Sequence, residues 1–166
     1  MQMSMADVTQ LQAFMKNGDW TAAYALLDNA RNEAVTSEDR RREVYWRVTA
    51  FERQQRYDEA LDLLRKNANL FNSRSLVQLE LARILVMLGR DQEALDELEI
   101  APIEEEMEKF YGLAIDAKFF YFYLLAKSGD RSVKDRLSEI PDDYRHIAMG
   151  GKFLTKPDIV ALLNRR

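Results

Sequence analysis

The sequence predicts an all-α fold, and three observations carry that reading. Helix-favouring composition comes first: hydrophobic residues make up 47% and charged residues 31% of 166, against only 6 Gly and 3 Pro. Straight-chain Leu, Glu, Arg and Lys lose little rotamer freedom in a helix, whereas Gly and Pro interrupt one. Apolar residues also recur at helical rather than alternating spacing. Lastly, one phrase repeats along the chain: an apolar run, a glycine, an aspartate within two residues, then a second helical pattern. The length suits one domain that buries most of its apolar surface, so a single domain over residues 1–166 is expected.

The elements follow in order. Ser4 and Asp7 form an N-terminal capping pair ahead of a helix carrying Leu11 and Phe14. FMKNGDWTAAYALL (14–27) turns at Gly18, VMLGRDQEALDEL (86–98) at Gly89 and LAKSGDRSVKDRL (125–137) at Gly129. A glycine just past an apolar helical run ends the helix with a positive φ at little cost. RQQRYDEALDLL (53–64) has the same form with Gln55 in the glycine's place. Before the turns, Val44, Val48 and Phe51, then Leu81, Ala82 and Leu85, then Tyr121, Phe122 and Leu125 give the packing faces of first helices. After the turns, Ala23, Ala60 and Ala94 leave room for only a methyl group where helices cross. PDDYRHIAMGGKF (141–153) reads as a linker loop, and Thr155 with Pro157 opens a short closing helix over DIVALLNRR. The Phe119–Tyr123 run has strand propensity, but five residues of a helix exceed one turn, so half its ring area belongs to the core.

YDEALDLL and DQEALDEL place Ala60 and Ala94 34 residues apart. With these phrases and that step, the chain resembles the tetratricopeptide repeat family from residue 4 to about 140. The resemblance implies a right-handed α-α superhelix of about four helix pairs, residues 4–40, 41–74, 75–108 and 109–141, closed by a C-terminal capping helix within 142–166. The sequence departs from the family pattern in places. The family's first-helix Trp is replaced by Asp7, Val44, Gln78 and Lys118, Lys134 stands at the fourth small position, and Pro141 ends that unit early.

Composition narrows the function. A net charge of -4 gives no overall pull toward phosphate backbones, so no nucleic-acid partner is expected. With no cysteine, disulfides and thiolate chemistry are excluded and a cytoplasmic location is the simplest one. The most apolar stretch, Phe119–Ala126, is too short for a membrane span, which needs about 20 residues, and the opening residues do not form a secretory signal. The lone His146 has no second histidine or cysteine to share a metal, and no serine lies in a nucleophile elbow. No catalytic, cofactor or metal site is expected. Glu104, Glu105 and Glu106 read as carboxylates at the N-terminus of the helix carrying Phe110 and Leu113. Arg40, Arg41, Arg42, Arg47, Arg53 and Arg56 read as a solvated face partly paired with Glu38, Asp39, Glu43 and Glu52.

The resemblance implies a concave groove lined by the first helix of each pair. Aligning the repeats puts Arg42, Tyr45, Thr49 and Arg53 there, with Leu76, Leu79 and Arg83, and with Asp116, Phe119, Tyr123 and Lys127. Arginine and aromatic side chains supply bidentate donors and large area with few rotors, the material of binding hot spots. The clamp by which some family members hold a partner's C-terminal carboxylate is absent, its positions holding Val8, Gln12, Trp46, Thr49, Leu79, Glu80 and Arg83. The expected function is protein–protein interaction: an adaptor, scaffold or chaperone that takes a partner peptide or helix in the groove. The alternative is a structural protein whose irregular first and fourth units pair copies into a homo-oligomer. A third arrangement would fold residues 142–166 back over the groove.

Overall fold

Helices dominate the computed structural model of the chain, which describes residues 4–147 and 151–165. Two compact units divide the chain, residues 1–72 and 73–166. The first holds α1 (Met5–Asn17), α2 (Trp20–Glu33), α3 (Ser37–Arg53) and α4 (Tyr57–Lys66), then a 3₁₀ turn, Ala68–Leu70. In the second, α5 (Arg74–Met87), α6 (Asp91–Glu99), the short α7 (Ile103–Glu106) and α8 (Tyr111–Ser128) precede a 3₁₀ segment, Ser132–Glu139. The strands β1 (Arg145–Ile147) and β2 (Phe153–Thr155) follow, and α9 (Lys156–Leu163) closes the unit. Among the described residues no helix is long and apolar enough to cross a membrane.

Helix pairing follows the turn phrases. The backbone is left-handed at Gly18 (φ +74°), Gly89 (+74°) and Gly129 (+90°), and also at Gln55 (+59°), the one position where a side chain replaces the glycine. Each turn closes with the same bond from the next residue back to the helix: Asp19 N–H donates to Phe14 O and Arg56 N–H to Phe51 O, both at 2.9 Å. Arg90 N–H to Leu85 O and Asp130 N–H to Leu125 O repeat it, also at 2.9 Å. This six-residue closure satisfies a carbonyl that the ending helix would otherwise leave open. The start signals hold too. Ser4 with Asp7, Thr36 with Asp39 and Thr155 with Asp158 each form reciprocal capping boxes.

Each unit has its own apolar cluster. In the first, Leu11, Met15, Ala23, Leu27 and Ala50 are buried, with Trp20, Tyr24 and Trp46 packed against them. In the second, Ile115, Phe119, Phe122, Val133, Ile140, Leu154 and Ile159 are buried together. Ala23, Ala60 and Ala94 are all fully buried, as crossing points require.

Four features depart from the sequence reading. The first helix of the second pair begins at Ser37, across the 40/41 boundary, because Thr36 supplies the cap. The fourth pair lacks a second α-helix: Ser132–Glu139 is 3₁₀, with Lys134 exposed where the other pairs bury alanine. A methyl group seats a helix at that crossing and an ammonium does not. The expected linker is a hairpin, so the chain is not wholly α; Arg145 pairs with Thr155, His146 with Leu154 and Ile147 with Phe153. Its inward set, Tyr144, His146 and Leu154, alternates with period two, which is a strand signal. Gly151 turns with φ +76°, while Gly150 lies outside the described residues. Finally, Glu106 caps a different helix from the one expected. Its carboxylate accepts from Ser73 Oγ at 2.6 Å, Arg74 N–H at 2.7 Å and Ser75 N–H at 3.1 Å, at the N-terminus of α5.

Candidate protein-interaction site

In the first unit the candidate surface is one face of α3. Arg42, Tyr45, Thr49 and Arg53 follow the helical spacing that aligns residues three and four apart. Val44 and Val48, on the opposite side, are buried and anchor the helix. Tyr45 is 45% exposed, and its ring stands edge-on to Trp46 at 5.4 Å. Arg53 is exposed, whereas Arg42 donates to Glu38 at 3.1 Å. The Thr49 hydroxyl donates to Tyr45 O at 3.0 Å, so it turns along the helix. The rest of the basic run is paired more fully than its spacing shows: Arg41 with Glu38 at 2.5 Å, Arg47 with Glu43 at 2.5 Å and with Asp28 at 2.8 Å. Asp39 instead caps α3.

The residues expected to serve the same role in the second unit stand differently. Leu79 and Phe119 are core residues at 1% and 0% exposure, so neither offers surface to a partner. Leu76 and Tyr123 are half-buried, and Lys127 is paired with Asp91 at 2.6 Å. Arg83 and Asp116 are taken up by the chain itself. Arg83 donates to Glu80 at 2.8 Å and to Ile147 O at 2.9 Å, and faces His146 Nε2 at 3.3 Å. Asp116 accepts from the Tyr144 hydroxyl and faces His146 Nδ1 at 3.3 Å. The His146 ring, fully buried, stacks on Phe119 at 5.2 Å and Phe120 at 5.4 Å. Of the expected fold-back of residues 142–166, the part from Tyr144 to Ile147 therefore covers Arg83, Asp116 and Phe119.

Chemistry fixes the tautomer in that cluster. Arginine only donates, so Nε2 accepts from Arg83 and the ring proton sits on Nδ1, facing the Asp116 carboxylate. Burial alone would raise the Asp116 carboxyl, but the His146 and Tyr144 hydrogen bonds and the Arg83 charge outweigh it and hold it below the usual carboxylate range. Burial and the Asp116 carboxylate push the Tyr144 phenol up. Burial likewise raises Glu80, against the pull of Arg83. With both ring nitrogens and the phenol engaged, the cluster fastens residues 144–147 to α5 and α8.

Comparison with family models, curated proteins and solved structures finds no match.

Lys118 is held by carboxylates from two segments. It is 5% exposed and pairs with Glu104 at 2.6 Å and Glu139 at 3.0 Å. Desolvation would lower its amine, but the two carboxylates raise it. Among the described residues no group of three or more His, Cys, Asp or Glu side chains is arranged to hold a metal. The sequence reading missed Tyr144 and Glu80 as members of the buried cluster. The alternation of Tyr144 and His146 was the available signal, and nothing local marked Glu80.

Proposed function

We propose that the chain is a tetratricopeptide-like, protein-binding module, and that the α3 face of its first unit holds an acidic, apolar-bearing segment of a partner protein. The observation that carries this reading is Tyr45, a large ring 45% exposed on the same helix face as the exposed Arg53. An exposed aromatic beside an arginine suits a short motif that pairs a carboxylate with a bulky side chain. The four matching turns and the three buried alanines support the repeat assignment and the superhelix it implies.

The test is affinity capture with wild type and a Tyr45→Ala, Arg53→Glu double variant, followed by titration of the captured partner's segment. Truncating a hot-spot tyrosine and reversing a flanking charge lowers affinity about 100-fold, with helical content unchanged. Equal affinity in the variant overturns the α3 assignment.

Self-association is the second reading. It is supported by the cross-strand pair Ile147 and Phe153, 58% and 55% exposed on one face of the hairpin. Light scattering of wild type and an Ile147→Lys, Phe153→Lys variant separates the two readings. A larger mass that falls to monomer in the variant supports self-association, and a monomer at all concentrations removes it.

A further inference from the structure

The second unit carries a cleft that the α3 reading does not use. A 3₁₀ helix has three residues per turn, so residues three apart eclipse one another. Arg131, Lys134 and Leu137 therefore stand in one row, along and just before Ser132–Glu139. On α9, Val160, Leu163 and Asn164 share a face by the spacing of an α-helix. The two rows line a cleft of about 300 Å³. Its floor is accessible and apolar: Val160 is 40% exposed, and Leu137 and Leu163 are half-buried.

Two cations at the cleft's rim are not taken up by the chain. Arg136 pairs with Glu139, Lys127 with Asp91 and Lys156 with Asp142. Among the described residues the Arg131 and Lys134 side chains have no hydrogen bond or ion pair, and both are exposed at the rim. The C-terminal end of α9 contributes about half a negative charge, which two full cations outweigh. A site with cations above an aliphatic floor selects a ligand with one anionic head and an apolar tail.

We propose that this cleft binds an aliphatic carboxylate, its head held between Arg131 and Lys134 and its tail laid on Leu137, Val160 and Leu163. A free fatty acid and the C-terminal leucine of a peptide share that chemistry. A di- or triphosphate does not, because the floor offers its additional charges no donors.

The experiment titrates the full chain with octanoate and with acetyl-Ala-Leu, using octanol and the peptide's C-terminal amide as neutral counterparts. Methyl NMR shifts of Leu137, Val160 and Leu163 provide the readout. Saturable shifts with a carboxylate, weakened at least tenfold with its neutral counterpart, support the site, and the tighter of the two acids names the source. An Arg131→Gln, Lys134→Gln variant, exposed at both positions, keeps its helical content and loses binding about 100-fold. No saturable shift with either acid, equal binding of the neutral counterparts or undiminished binding by the variant overturns the proposal. None of these outcomes depends on Tyr45 or Arg53.

Discussion

The α3 face of the first unit and the α5 and α8 residues of the second have the same sequence pattern and opposite fates. In both, apolar residues at helical spacing anchor a helix while arginine and aromatic residues occupy the remaining stripe. On α3 the ring of Tyr45 stays 45% exposed, whereas in the second unit Phe119 is fully buried beneath Tyr144 and His146. The difference lies in the downstream chain rather than in the helices themselves. A periodic pattern specifies which side of a helix is apolar, and the chain beyond it decides what covers the rest.

The contrast can be broken or sharpened by substitution. The largest effect belongs to Phe119→Ala, which removes a fully buried ring and its stacking with His146; it should destabilise the chain by about 3–5 kcal/mol in denaturant unfolding. Hydrogen exchange at residues 144–147 should accelerate with it. The matching change on the α3 face, Tyr45→Ala, removes a half-exposed ring that stands edge-on to Trp46 and should cost about 1–1.5 kcal/mol. Similar losses for both would erase the distinction between covered and open faces.

Glu106→Gln tests whether the second unit also depends on fastenings between distant segments. It removes a charged acceptor from Ser73, Arg74 and Ser75 and should cost about 1–2 kcal/mol at neutral pH. Burial would raise the Glu106 carboxyl, yet these three donors hold it below the ordinary glutamate value. A depressed carboxyl stabilises the fold above its unfolded pKa, and that contribution disappears as pH falls through the folded value. Melting temperatures of wild type and Glu106→Gln should therefore converge below about pH 4. A constant gap down to about pH 3 would remove the electrostatic explanation.

The smallest effect concerns a turn of the first unit. Gln55 holds φ +59°, which costs a side-chain-bearing residue about 1–2 kcal/mol. Glycine relieves that strain but loses more chain entropy on folding, so Gln55→Gly should stabilise by up to about 1 kcal/mol. A loss of stability on thermal melting would mean that the Gln55 side chain makes a compensating contact.

Local features were legible in the sequence. Gly18, Gly89 and Gly129 marked turns because a left-handed residue ends those helices, and the alignment found Gln55 in the same role. Ser4 with Asp7, and Thr155 ahead of Pro157, announced helix starts through short-range bonds. Ala23, Ala60 and Ala94 were recognisable as crossing points by their place just after the turns. Contacts across long separations were not legible. Glu106 looked like the start of the next helix, yet it caps α5 more than thirty residues earlier. Of the expected binding residues, Arg42, Tyr45, Thr49 and Arg53 share one face, but Leu79 and Phe119 went to the core and Arg83 and Asp116 to the hairpin. Spacing places a residue on a helix face and says nothing of a strand that later lies over it.

The 3₁₀ geometry of Ser132–Glu139 bears on how that strand arrives. At about 2.0 Å per residue, eight residues advance about 16 Å, whereas an α-helix of the same eight would advance about 12 Å. Three residues per turn rather than 3.6 also changes the exit direction by roughly 160° over that length. An α-helix over the same residues would thus send Pro141 and Tyr144 off short and misdirected, and leave the Phe119 ring without its cover. The 3₁₀ segment is the spacer that sets the reach of the clasp.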